Sequence, residues 1–137
     1  TGYKKDLFSI WAAHKPAYVA TVIGSEPLDL ARKIEKARQL KGPRLIIALA
    51  PCPPGWDYDP RESADIGKLA VTTGVWPLKE YIEGRVVHTK IPRQRKPVEA
   101  YLNKQGRFAH LFEPQRNEVL LQELQNSVDS YWADIGS

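Results

Sequence analysis

The sequence predicts an α/β fold organised on a parallel sheet, and three observations predict it. Residues 17–23 and 44–50 are two nearly continuous apolar runs, the pattern of strands covered on both faces. A segment with helical spacing lies between them. The links on either side are short, and helix, strand, helix, strand with tight connections is the order of a parallel sheet with crossovers of one hand.

Each element has its own signals. Residues 4–14 read as a short helix with Leu7, Ile10, Trp11 and His14 along one side, stopped by Pro16. The strand 17–23 ends at Gly24. Ser25 is the expected N-cap of the next helix, with Pro27 in its first turn and Leu30, Ile34 and Ala37 at helical spacing. Gly42 and Pro43 close that helix, the first tolerating positive φ and the second breaking the helix. Residues 44–50 form the second buried strand. Asp59-Pro60-Arg61-Glu62 has the form of a capping box, with Asp59 at the N-cap and Glu62 able to reach back. Ile66, Leu69, Ala70 and Thr73 then mark a helical face that Gly74 ends. Residues 76–82 and 85–91, on either side of Glu83-Gly84, read as a hairpin. A short helix around Val98, Tyr101 and Leu102 is broken by Gly106. The last helix spans 114–133, with Leu121, Leu124, Val128, Tyr131 and Trp132 on one stripe, a pattern of core or subunit packing.

Composition narrows the class. At 137 residues the chain is long enough for one domain with a real core, and 42% apolar with 26% charged residues is ordinary for a globular protein. No apolar run approaches the roughly 20 residues that span a bilayer, and the first residues lack a signal-peptide pattern. A cytoplasmic location is the expectation. A single cysteine forms no internal disulfide, which agrees with a reducing compartment. The absence of methionine fits removal of an initiator and equally fits a piece of a longer chain. Much of the net charge of +4 sits in residues 90–96. Without a helix-turn-helix or RNA-binding signature, that run reads as a solvated loop or a site for an acidic protein partner, not for nucleic acid.

Few residues carry chemistry. His14, His88 and His110 lack metal-ligand spacing, and there is no phosphate loop, nucleophile elbow or paired-cysteine motif. Asp57 and Asp59 sit in a Pro-Gly turn and read as turn formers. The exception is "LAPCPPGW", where Pro51, Pro53 and Pro54 surround Cys52. Their rings fix φ near −65° and restrict the unfolded chain as well, so the thiol is held in one direction at low entropic cost. A metal ligand, a nucleophile and a rigid turn all suit such a loop. Cys52 lies just past the end of a buried strand, and open α/β sheets gather ligands at those ends.

Four segments, "KKDLFSIWAAHKPAYVATV", "LARKIEKARQLKGPRLIIALAPCPPGW", "LAVTTGVWPLKEY" and "RKPVEAYLNKQGRFAHL", together resemble the C-terminal half of the beta subunit of pyruvate:ferredoxin oxidoreductase. This is the multisubunit type, among the thiamine-diphosphate-dependent 2-oxoacid:ferredoxin oxidoreductases. The resemblance implies the C-terminal half of a thiamine-diphosphate-binding doubly wound parallel sheet, with a mixed tail of hairpin and long helix. Residues 1–74 would belong to the cofactor domain and residues 75–137 to an extension for subunit packing. It implies three cofactors, thiamine diphosphate, Mg²⁺ and a 4Fe–4S cluster. The family's Gly-Asp-Gly motif and three cluster cysteines are expected before Thr1. Cys52 matches the fourth cluster cysteine and is the one metal-ligating, cofactor-binding residue implied here; no catalytic residue is. The implied reaction is oxidative decarboxylation of pyruvate to acetyl-CoA and carbon dioxide, with electrons passed to ferredoxin. The implied partners are the other subunits, ferredoxin, pyruvate and coenzyme A, with no nucleic acid and no membrane. Alternatives are a subunit acting on oxalate or on a branched-chain or aromatic 2-oxoacid, a non-catalytic basic binding module, and a free-standing redox thiol. The chain alone is expected to be inactive.

Overall fold

Tyr18–Ile23 (β1) is buried at all six positions and is the strand around which the first part of the structure is built. The structure is a computed structural model that describes residues 5–135; the expected helix start at Lys4 lies outside the described residues. The chain divides into two compact units, Thr1–Leu49 with Leu78–Lys90 and Ala50–Pro77 with Ile91–Ser137.

In the first unit, Leu7–Ala13 (α1), Pro27–Gln39 (α2), Arg44–Leu49 (β2) and the hairpin Leu78–Ile82 (β3), Arg85–Lys90 (β4) accompany β1. The sheet order is β2-β1-β3-β4. β1 and β2 are parallel, with Tyr18 opposite Arg44 and Ile23 opposite Leu49, as the β-α-β spacing requires. The hairpin adds to the other side of β1 in the antiparallel sense, so the sheet is mixed where a parallel sheet was expected. Its turn is built by Glu83 and Gly84, both at positive φ (50° and 77°), which matches the twist of the two strands.

Three expectations are corrected. β2 is a half-exposed edge strand, not a buried one, because no described strand pairs with its outer side. α1 buries Phe8, which packs with Val19 and Tyr81, and leaves the Leu7, Ile10 and Trp11 side about half exposed. α2 begins at Pro27 with Glu26 in the N-cap position, and the Ser25 hydroxyl is buried without a hydrogen-bond partner.

Alternation along β1 and β3 sends Val19 and Tyr81 to the α1 face and leaves Tyr18 and Glu80 on the opposite one. That second face carries charge. Glu80 is 4% exposed and accepts from the Tyr18 hydroxyl at 2.5 Å and from Lys36 of α2 at 2.5 Å. Burial, together with the hydrogen bond to Glu80, raises the Tyr18 pKa, so the phenol stays a donor. Lys33, 1% exposed, donates to the Thr21 carbonyl at 2.8 Å and to Asp29 at 2.6 Å. Its burial pulls its pKa down, opposed by Asp29.

In the second unit, Pro53–Trp56 (α3), Ser63–Thr72 (α4), Val98–Leu102 (α5) and Glu118–Ala133 (α6) pack with two 3₁₀ turns, Pro60–Glu62 and Gly106–Leu111. Ile66, Ala70, Val98, Tyr101, Leu102, Leu121 and Trp132 are buried. The Trp132 indole donates to the Gly74 carbonyl at 2.9 Å. Gly74 has φ +81°, and a Cβ there would stand 2.3 Å from that indole nitrogen, so the residue that ends α4 can only be glycine. Asp59 caps its turn by accepting from the Arg61 amide at 2.9 Å, but Glu62 pairs with Lys104 at 3.0 Å and does not complete a capping box.

Removing the shared acceptor should loosen α2 from the sheet. Glu80→Ala leaves a buried phenol and a lysine without their carboxylate and is expected to cost about 2–3 kcal/mol in urea unfolding. A loss under 0.5 kcal/mol would mean that the network contributes nothing net. A second expectation concerns pH. Burial, with the Lys79 and Lys33 charges, holds His88 below the usual histidine range. The folded pKa is therefore lower than the unfolded one, and the unfolded chain takes up the proton first. Stability is full above the ordinary histidine value and falls as pH drops through it towards the folded one. Unfolding curves between pH 7.5 and 5 should show this decline, and His88→Gln should flatten it.

Candidate functional site

The loop Leu49-Ala50-Pro51-Cys52-Pro53-Pro54-Gly55-Trp56 follows β2 directly in sequence. Cys52 precedes a proline, which disfavours the helical region, and it is extended at φ −116°, ψ 101°. Pro53 then opens α3, where its missing N–H is of no consequence. The Trp56 amide donates to the Cys52 carbonyl at 2.8 Å, closing one turn. Asp57 caps this turn in the left-handed region at φ 56°. The result is a single rigid turn with Cys52 at its head, and the thiol is free and exposed.

The turn is braced by a segment about fifty residues further on. The Asp57 carbonyl accepts from the Gly106 amide at 2.8 Å. A Cβ on Gly106 would lie 2.0 Å from an Asp57 carboxylate oxygen, so glycine here makes room; the expected helix breaker instead opens the second 3₁₀ turn, since α5 already ends at Leu102. The Arg107 guanidinium lies 4.0 Å from the Trp56 ring centroid and 4.6 Å from that of Phe108, a cation held between two aromatic faces. Its Nε donates to Gln105 at 2.8 Å, and the buried Gln105 amide donates to the Tyr101 carbonyl at 2.7 Å. Tyr101 meets Trp56 edge to face with centroids 6.5 Å apart, and burial raises its pKa. Thus Trp56, the last residue of the proline turn, is gripped on two sides. On the Cys52 side, Gly55 leaves space: a Cβ there would sit 3.2 Å from the sulfur. An exposed thiol on a fixed turn with a cleared flank fits one ligand of a metal group shared with other residues. Among the described residues no group of three or more His, Cys, Asp or Glu could hold a metal by itself.

The other sequence candidates are not brought together. His14 meets the Trp11 ring at a tilt of 51°, His88 is half-buried on β4, and His110 is exposed on the second 3₁₀ turn. Asp57 and Asp59 are turn caps as expected, and the Arg61 side chain holds the Asp59 carboxyl below its usual range. Sequence reasoning missed Arg107 and the place of Gly106 beside Asp57, since nothing local in "QGRFAH" points to a loop near residue 56.

The chain is 46% identical over 125 residues to pyruvate synthase subunit PorB of Methanothermobacter marburgensis, covering 91% of this chain and 43% of that protein. It is 41% identical over 129 residues to the protein of the same name in Thermotoga maritima, covering 94% of this chain and 40% of the relative. It is also 39% identical over 111 residues to ketoisovalerate oxidoreductase subunit VorB of Pyrococcus horikoshii, covering 80% and 36%. The chain thus spans about two-fifths of the length of the curated relatives it matches. No family model matches it.

The bracing generates an expectation. In native buffer Cys52 should react with a full equivalent of a disulfide reagent such as DTNB, without denaturant. Gly106→Ala should force Asp57 aside, shift the Trp56 emission and cost about 1–3 kcal/mol. A thiol that reacts only after unfolding would contradict the exposed position.

Proposed function

The chain belongs to the family of pyruvate synthase beta subunits, and we propose that it serves there as the part that completes an iron–sulfur site and packs the subunit into its complex. The observation that carries the reading is Cys52: one exposed thiol, fixed by three prolines and the Trp56–Arg107 contact, in a segment shared with relatives named for this enzyme. Cys52 would donate one thiolate, and the remaining ligands would come from elsewhere in the subunit. A 4Fe–4S cluster held this way supplies one-electron transfer, with a potential tuned by hydrogen bonds and solvent around its sulfurs. The task of this chain's residues is positional. Pro51, Pro53 and Pro54 fix the backbone, Gly55 keeps the sulfur's flank open, and Arg107 holds Trp56 so that the turn does not swing.

The proposed reaction of the whole complex is oxidative decarboxylation of pyruvate with coenzyme A, electrons leaving through clusters to ferredoxin. The residues that hold thiamine diphosphate and Mg²⁺ are proposed to lie upstream of this chain in the same subunit. Residues 75–137 are proposed as the packing extension and residues 1–74 as part of the cofactor domain. A cytoplasmic location goes with this reading; no helix among the described residues is long and apolar enough to cross a membrane. A second reading has a specific support: the similarity to a subunit named for ketoisovalerate oxidation leaves a branched-chain 2-oxoacid as the alternative substrate.

The test is Cys52→Ser in the complete complex. Iron content should fall by about four atoms per subunit, the size of one cubane, and ferredoxin reduction should slow by an order of magnitude or more. Single-turnover release of carbon dioxide should change far less. Unchanged iron and unchanged ferredoxin reduction would reduce Cys52 to a turn residue. Comparing pyruvate with 3-methyl-2-oxobutanoate as substrates separates the two readings.

A further inference from the structure

The run 90–96 is less uniform in the structure than its charge suggests. Lys90 is tied to Glu26 at 2.7 Å and Arg95 to Asp129 at 2.9 Å. Arg93 and Lys96 are exposed and make no ion pair among the described residues. Both border hollows of the second unit. One, of about 520 Å³, lies between Arg93, Arg95, Gln125 and Asp129. The other, of about 700 Å³, lies between α4 and α5, walled by Leu69, Thr72 and Ala100, with Lys68 and Lys104 at its rim. Lys96 and Pro97 line both, so the two hollows adjoin at that strap, and together they are called the trough.

The charges along the trough do not cancel. Of its carboxylates, Glu99 is held by Arg116 through two bonds of 2.6 Å and Asp129 by Arg95, which leaves Asp65. Of its cations, Lys104 is taken by Glu62, which leaves Arg93, Lys68 and Lys96. Three cations without an ion pair stand against one such carboxylate, and the larger hollow adds the apolar side chains of Leu69 and Ala100. No aromatic side chain lines either hollow, so the trough offers no platform for stacking a base.

We propose that this trough docks an extended acidic segment of a protein partner, its carboxylates meeting Lys68, Lys96 and Arg93 and an aliphatic side chain resting on Leu69 and Ala100. The proposal rests on the reading of this chain as one member of a complex. It moves the partner site from the basic run as a whole to the groove beside α4, and it adds Lys68, twenty-eight residues away from Lys96 in sequence. Opposite charges arranged this way set register and encounter rate more than raw affinity.

The test uses a fluorescein-labelled peptide of alternating glutamate and leucine, titrated into the full chain and followed by anisotropy and by amide shifts. Binding should be present at low salt and weaken as the Debye length shortens. Lys68→Glu with Lys96→Glu should weaken it about tenfold or more, while Lys41→Glu with Arg85→Glu, exposed positions of the first unit, should change it less than about twofold. Shifts should appear at Leu69, Thr72 and Ala100. All four positions are exposed, and circular dichroism checks that the variants stay folded. Binding equally reduced by both pairs overturns the proposal, as does tighter binding of a single-stranded oligonucleotide. Shifts confined to residues 90–96 overturn the trough but leave the basic run as a partner site. No binding at any salt overturns both.

Discussion

The first unit depends on how one buried carboxylate is satisfied. Glu80 stands in the middle of a sheet, where an uncompensated charge would cost several kcal/mol. It is stable there because Tyr18 donates from the neighbouring strand and Lys36 from the helix above. Those two bonds fix three separate elements to one point. Lys33 reinforces this by reaching the Thr21 carbonyl of β1, so α2 is registered on the sheet by polar contacts as well as by its apolar side. A hydrophobic contact tolerates sliding, whereas a two-oxygen carboxylate with two assigned donors does not. β2 inherits that precision, since it is aligned on β1 residue by residue.

The second unit solves a different problem: it holds a short loop still without burying it. Backbone restriction by prolines acts on the unfolded chain, whereas the Trp56–Arg107–Phe108 contact acts on the folded one. Neither alone suffices. A proline turn with no external grip can rotate as a body, and an aromatic grip on a flexible loop holds only the gripped residue. Together they leave a sulfur that is accessible yet constrained, the condition that a ligand of a shared group requires.

Much of the fold was legible in the sequence because its signals are local. Apolar runs located β1 and β2, Pro27 located the start of α2, Glu83-Gly84 located the hairpin, and Gly74 located the end of α4. Local signals failed at two caps, Ser25 and Glu62, and the larger failures were non-local. Nothing in residues 44–50 reveals that β2 has a neighbour on only one side among the described residues, because burial of a strand is a property of the sheet. The α1 stripe misled because Leu7, Ile10 and Trp11 outnumber the one residue, Phe8, that meets Val19 and Tyr81. The site was legible in part: "PCPPGW" announced a constrained cysteine, but the guanidinium that steadies it lies fifty residues away, and spacing carries no trace of such a contact.

The open side of β2 bears on how the isolated chain behaves in the test tube. Its backbone amides and carbonyls face outward without a strand partner among the described residues, and its side chains are only half covered. Such an edge is a template for any other extended chain. Aggregation of the polypeptide prepared by itself should therefore begin by strand addition at residues 44–49, and dilute handling or an added charge on that edge would be the practical remedy.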